Sequence, residues 1–223
     1  MTRNTVALVP AYNEAPRIAA VLEVVTRCSF LDRVYVIDDG SSDGTGAVAQ
    51  GFPVQVLAHK ENMGKGAALQ TGLHAALAGG AEGLVFLDAD LLGLGEEHIM
   101  TLLGPLENPG VPRMTVGVFK GGQSHVDLAQ HLTPILNGQR GLTRAMAEAL
   151  PDLSWSRFGV EVLINLHARR RGLELLHVPL RNISHVTKEQ KLGIARGFRY
   201  RLQMYQEAIY AWRNYDRIVK AQA

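Results

Sequence analysis

The sequence predicts an α/β fold built on a mostly parallel central sheet with helices on both faces. Short apolar runs at residues 5–9, 34–37, 54–57 and 84–87 each have the length and composition of a buried strand. Amphipathic helical patterns follow the first and third of them. Runs one, two and four end in polar loops, and open α/β sheets bind their ligands at strand carboxyl ends.

The first strand is expected to end at Pro10, since proline suits a strand terminus better than an interior. The loop Pro10-Ala11-Tyr12-Asn13-Glu14-Ala15 follows. Pro16 suits the first turn of a helix whose apolar stripe is Ile18, Val21, Leu22 and Val25. The strand at 34–37 runs into Asp38-Asp39-Gly40-Ser41-Ser42-Asp43-Gly44-Thr45, a loop dense in acceptors and capping residues. After the strand at 54–57, His59-Lys60-Glu61-Asn62-Met63-Gly64-Lys65-Gly66 opens a helix carrying Leu69, Leu73, Ala76 and Leu77, stopped by Gly79-Gly80. The fourth strand ends in Asp88 and Asp90.

The second half is less regular. Ile99, Leu102 and Leu103 suggest a short helix, and residues 114–119 a strand. Residues 121–136 are polar without a firm period, a candidate mobile loop. Gly138-Gln139-Arg140-Gly141 precedes a short helix ending near Leu150. Phe158-Gly159-Val160-Glu161 opens a helix striped by Val160, Leu163, Ile164 and His167, and His167 and His177 read as structural. The last strand covers 173–178, with Pro179 at its end. A long helix is expected over 188–220, with the stripe Leu192, Ala195, Phe198, Leu202, Tyr205, Ile209 and Trp212. The pattern divides into one domain at 1–187, with a nucleotide-binding half at 1–95 and an acceptor half at 96–187. A helical extension covers 188–223.

At 223 residues the chain is long enough for a sizeable core. Lys and Arg total 23 against 21 Asp and Glu, so net charge gives no case for a general polyanion binder. Acidic loops at the presumed site and the lack of a recognisable module argue against nucleic acid. Basic residues gather instead from Arg169 onward. Cys28 is the only cysteine and forms no internal disulfide. The first residues carry no signal-like apolar region and no run approaches eighteen apolar residues, so a cytoplasmic protein is expected. Membrane contact would be peripheral, at the inner face.

Asp38/Asp39, Asp88/Asp90 and Asn13-Glu14 should converge on one sheet edge. That supplies acceptors for the hydroxyl and imide donors of a nucleoside, beside an acidic pair suited to a divalent cation. Gly64-Lys65-Gly66 offers close backbone approach and a cation for phosphate. A P-loop is excluded, because GKGAA lacks upstream glycines and a following hydroxyl. A dinucleotide fingerprint is excluded at 40–46, where the spacing is wrong and Asp38, Asp39 and Asp43 would repel a pyrophosphate.

Four segments in order, Val9-Pro10-Ala11-Tyr12-Asn13-Glu14, Val36-Ile37-Asp38-Asp39-Gly40-Ser41-Ser42-Asp43-Gly44-Thr45, Asn62-x-Gly64-Lys65-Gly66 and Asp88-Ala89-Asp90, resemble GT-A-fold nucleotide-sugar glycosyltransferases of the family 2 type. The resemblance implies that Pro10, Tyr12 and Glu14 line the nucleotide and that Asp39 reads base or ribose. It places Lys65 near the phosphates, Asp90 on a Mg²⁺ or Mn²⁺ ion, and Asp88 beside the donor ribose or sugar. The donor would be a nucleoside diphosphate sugar, UDP-glucose foremost, with GDP-sugars sharing these motifs.

The second half resembles polyprenyl-phosphate sugar transferases and glucosyl-3-phosphoglycerate synthases. That likeness makes Glu161 the acceptor-facing acid and His185 a further metal ligand, and gives Arg140 and Arg144 the grip on an acceptor phosphate. The acceptor would be a small or lipid-linked phosphate, with inversion as the default and a retaining phosphoglycerate-type reaction as the rival. Processive polysaccharide synthesis is disfavoured, since the Gln-x-x-Arg-Trp motif and membrane helices are missing. Nucleotidyltransferases of the same fold begin with a glycine-rich loop carrying Arg and Lys, unlike Ala11-Tyr12-Asn13-Glu14. Asp88 and Asp90 argue against a non-catalytic nucleotide-binding module. The last helix, with Arg196, Arg199, Arg201, Arg213 and Arg217 around its stripe, suits an anionic leaflet, the domain itself or a second subunit in a homodimer. The interspersed Glu207 and Asp216 favour protein packing.

Overall fold

The computed structural model describes residues 4–120, 137–185 and 194–222. The candidate mobile loop at 121–136 therefore lies outside the described residues. The chain begins β1 (Thr5–Ala11), α1 (Ile18–Val25), β2 (Arg33–Asp38), α2 (Thr45–Gln50), β3 (Gln55–Ala58), α3 (Lys65–Ala78) and β4 (Gly83–Phe86). It continues β5 (Leu91–Leu92), α4 (Glu96–Leu103), β6 (Arg113–Lys120), β7 (Arg140–Thr143) and α5 (Arg144–Ala149). A 3-10 turn (Ser154–Gly159), α6 (Val160–Arg170), β8 (Glu174–Arg181), β9 (Ser184–His185) and α7 (Ile194–Gln222) complete it.

Seven strands form one sheet in the order β3-β2-β1-β4-β7-β6-β8. All run parallel except β7, which is antiparallel to both β4 and β6. Alternate residues of β1 serve opposite faces: Val6 and Leu8 join one core with Leu69, Leu73, Leu163 and Tyr215, while Ala7 and Val9 join another with Ile18, Leu22, Ile99 and Leu102. Helices α3, α5, α6 and α7 thus cover one face, and α1 and α4 the other. A separate pair, β5 and β9, matches Leu91 with His185 and ties the Asp88–Asp90 turn to the chain after β8.

Several expectations are corrected. Pro10 lies inside β1, opposite Ile37. The Leu8 carbonyl accepts from Leu87 on the β4 side, so the nitrogen of Pro10 faces the same way, beyond the end of β4, and no ladder bond is lost. Pro179 lies inside β8, which tolerates it as an edge strand. Residues 140–143, ahead of the short helix, form a fully buried strand that was not expected. Helix α2 and the 3-10 turn are additions too short to show a period.

In α7 the expected stripe is turned outward. Leu202, Tyr205, Ile209 and Trp212 are exposed, and Ala211 and Tyr215 make the buried side. Leu192 lies outside the described residues, as do the side chains of Ala195 and Phe198.

Candidate active site

Two acidic loops at the carboxyl edge are braced side by side. The Asn13 N–H donates to Ser41 Oγ (2.9 Å), Glu14 N–H to Thr45 Oγ1 (2.8 Å), and Ala15 N–H to Asp43 Oδ2 (3.0 Å). Asn13 returns a bond by accepting from Ser42 N–H, and its backbone sits at φ +54°. Burial works against the Asp43 charge, but bonds from Thr45 and the backbone hold its carboxyl below the usual range. Tyr12 projects outward and Glu14 is buried, reaching Arg17 at 3.4 Å.

Asp39 is buried, and both carboxylate oxygens are engaged inside the protein. Oδ1 meets His59 Nδ1 (2.7 Å) and Met63 N–H (2.9 Å), while Oδ2 accepts from Asn62 Nδ2 (3.0 Å) and Gly64 N–H (2.8 Å). It fastens the end of β2 to the turn that starts α3. Gly64 is required in that turn: its φ is +96°, and an added Cβ would lie 3.1 Å from Arg157.

Lys65, the first residue of α3, reaches across to a carboxylate on each side. Its Nζ lies 2.6 Å from Asp88 Oδ1 and 2.6 Å from Glu161 Oε1. Burial opposes the lysine charge, but the two carboxylates outweigh it and hold its pKa above the ordinary range. Burial likewise opposes the Asp88 charge, yet Lys65, Gln139 and His185 together depress its carboxyl to about 2. Gln139, buried and donating to Asp88 Oδ2 at 2.8 Å, is a site residue that the sequence did not mark. Gly138 keeps this floor open, because a Cβ there would stand 2.6 Å from Lys65 Nζ and 2.8 Å from the Asp88 carboxylate. Glu161 is 7% exposed, so it is not the solvated helix-start acid that its position alone would suggest.

The structure removes the acceptor-gripping role from both arginines. Arg140 is 1% exposed, with its guanidinium donating to Asn165 Oδ1 (2.6 Å) and to the Glu161 carbonyl (3.4 Å) beneath the site. Burial lowers its pKa to about 10, with Glu161 and Asp88 opposing the fall. Arg144 sits at the other end of β7, where its N–H donates to the Glu82 carbonyl and its side chain pairs with Glu148. The antiparallel direction of β7 sends it away from the carboxyl edge of β4.

Arg157 also escaped the sequence reading. Its backbone takes φ +48°, rare for a non-glycine, and its side chain spans from Asn62 Oδ1 (3.3 Å) to Glu207 (3.5 Å). Glu207 of α7 further accepts from Phe158 N–H at 3.0 Å. The turn before Glu161 is therefore held from the C-terminal helix. A positive-φ arginine leaves no signal in sequence. His167 is structural as expected, bonded to the Ala149 carbonyl and the Tyr215 hydroxyl, whereas His177 is exposed. Cys28 is buried with its thiol pushed up to about 11, so it offers no nucleophile.

Among the described residues no three His, Cys, Asp or Glu side chains gather into a complete metal cage. The donor set still fits Mg²⁺ or Mn²⁺ shared with phosphate. The β5–β9 pairing sets His185 opposite Leu91, next to the Asp88–Asp90 turn, and His185 is near enough to Asp88 to favour its charge, so carboxylate and imidazole donors come together there.

Comparisons with known proteins bear on the fold and the family. The model of glycosyl transferase family 2 matches residues 6–162. The chain is 26% identical over 228 residues to an uncharacterized protein of Methanocaldococcus jannaschii, covering 91% of each. It is 34% identical over 95 residues to polyprenol monophosphomannose synthase of Mycolicibacterium smegmatis, covering 40% of this chain and 36% of that one. Glucosyl-3-phosphoglycerate synthase of Mycobacterium tuberculosis, solved with Mn²⁺, UDP and glucosyl-3-phosphoglycerate, superposes with TM-score 0.71 at 24% identity, covering 94% of this chain and 78% of that one. The same enzyme with Mg²⁺ and UDP superposes with TM-score 0.64 at 26% identity, covering 82% and 72%. With the family model matching most of this chain and the GT-A architecture in place, the chain belongs to glycosyl transferase family 2 and is a glycosyltransferase.

Proposed function

We propose that the protein transfers a hexose from a nucleoside diphosphate sugar, UDP-glucose foremost, to an acceptor that carries a phosphate, with Mg²⁺ or Mn²⁺ as cofactor. The observation that carries this reading is the Lys65–Asp88–Glu161 cluster, set beside the Asp88–Asp90 turn and His185. Tyr12, Glu14 and Pro10 line the nucleotide side, and Asp39 shapes that side by accepting bonds that fix residues 62–64.

Asp90 and His185 would hold the ion, supplying a carboxylate and an imidazole as donors. When bound, the ion would supply positive charge to offset the charge developing on the departing diphosphate. Lys65 adds a second positive charge near that leaving group and keeps Asp88 ionised. Asp88, steadied by Gln139, would accept from a hydroxyl of the donor sugar. Glu161 faces the acceptor hydroxyl, orienting it and accepting its proton in a direct displacement. Retention is the second reading, resting on the resemblance of the second half to phosphoglycerate-type enzymes around Glu161 and His185. Lipid-linked acceptors draw support from the likeness to polyprenol monophosphomannose synthase.

Titration of UDP into the protein by calorimetry tests the binding part. Binding that needs Mn²⁺, vanishes with EDTA and weakens at least tenfold in Asp90→Ala and His185→Ala supports the assignment. Equal UDP affinity with and without metal would sink it.

A further inference from the structure

We propose that the outward face of α7 is a docking surface for an anionic phospholipid bilayer. This does not rest on the reaction assigned above. Among the described residues, half of the exposed large apolar side chains lie on this one helix: Leu202 (50%), Tyr205 (42%), Ile209 (52%), Tyr210 (50%) and Trp212 (59%). Leu202, Tyr205, Ile209 and Trp212 follow at intervals of three, four and three, which places them in one stripe. The helix does not need that stripe to hold its place, because Ala211 and Tyr215 on the opposite side are buried against the domain.

The charge pattern selects the partner. Arg213, Arg217 and Lys220 are exposed and lie at intervals of four and three, a row of cations beside the apolar stripe. Between residues 202 and 221 the helix has two acids, and both are committed to the domain. Glu207 turns inward to Phe158 N–H and Arg157. Asp216 is paired with Arg170 of α6. The interspersed acids that argued for protein packing are therefore spent. Arg169 and Arg171, also exposed, stand on either side of Arg170 where α6 meets α7.

A second copy of the chain docked across this stripe would bring two rows of arginine and lysine together in a poorly solvated seam, where like charges oppose association. An anionic leaflet gives those cations phosphate partners, and its interfacial zone suits tryptophan and tyrosine rings. Among the described residues no helix is long and apolar enough to cross a membrane, so α7 would lie along the surface.

Flotation of the full chain with vesicles of phosphatidylcholine alone, and of phosphatidylcholine mixed with phosphatidylglycerol, tests this. We expect binding to the anionic vesicles only, fading as salt is raised. Arg213→Gln with Arg217→Gln should weaken it by about thirtyfold. Ile209→Ser with Trp212→Ser should weaken it as well, with the melting temperature unchanged. No binding to the anionic vesicles, or binding indifferent to both variant pairs, overturns the proposal. It is equally overturned if light scattering shows a dimer that Ile209→Ser with Trp212→Ser dissociates, and vesicles do not bind. No sugar transfer is read, so failure of the proposed reaction leaves this result untouched.

Discussion

Lys65 is the shared counter-charge of two carboxylates that would otherwise face each other with little solvent between them. Lys65→Met leaves that pair uncompensated, at a cost of about 3 kcal/mol. For a chain of this length that corresponds to a fall of roughly 6–12 °C in melting temperature at neutral pH. Adding Asp88→Asn to Lys65→Met should restore part of the loss, since one buried charge then disappears. An unchanged melting point for Lys65→Met would show the pairs to be solvated surface contacts.

His167 gives a separate pH signature, away from the candidate metal ligands. The Ala149 carbonyl can only accept, so Nε2 carries the proton, and Nδ1 accepts from the Tyr215 hydroxyl. The ring is thus neutral in the fold, with burial lowering its pKa below the ordinary 6.5. The unfolded chain takes up a proton that the native chain refuses, so stability is full above the unfolded value and declines as pH falls through it. Melting at pH values from 8 down to 5.5 should show that decline, and His167→Gln should flatten it.

At the scale of elements, the N-terminal start of α3, the 3-10 turn and α7 act as one support for Glu161. Glu207 joins them, accepting from Phe158 N–H while contacting Arg157, whose positive φ needs outside restraint. Glu207→Ala should cost about 1 kcal/mol, the usual net worth of one hydrogen bond lost at a half-buried position. Its kcat should fall more than its affinity for UDP, because the turn positions Glu161 rather than the nucleotide. Glu207→Gln keeps an acceptor oxygen and should recover most of both. A Glu207→Ala enzyme with normal kcat would reduce the contact to simple packing.

Some of this was plain in the sequence. The stripe Ile18, Val21, Leu22 and Val25 is the buried face of α1, and three of the four expected positions on α3 are buried. Lys65, Asp88 and Glu161 were each singled out, though nothing local said that one ammonium would join both acids across 96 residues. Arg140 misled because Gly138-Gln139-Arg140-Gly141 is too short and polar to show a strand period, while its antiparallel pairing with β4 is a long-range property. The stripe of α7 misled for a related reason. Its period was read correctly, but which face meets the domain depends on the small Ala211 and on Tyr215, which pattern alone ranks below Leu, Ile and Trp.

For the whole molecule, the sheet brings four loops to one edge, and the two-residue pairing of β5 with β9 closes the second half over the first. The proposed reaction would draw on residues from both parts of the chain, which makes turnover the decisive readout. The measurement is release of nucleoside diphosphate from UDP-, GDP- and ADP-sugars with Mn²⁺ or Mg²⁺. Each donor is tested alone and with 3-phosphoglycerate or a polyprenyl phosphate as acceptor. Release from a UDP-sugar that one phosphate acceptor stimulates, and that Asp90→Ala lowers at least a hundredfold, is the result expected here. Silence with every donor and acceptor, or release that Asp90→Ala leaves unchanged, would contradict it.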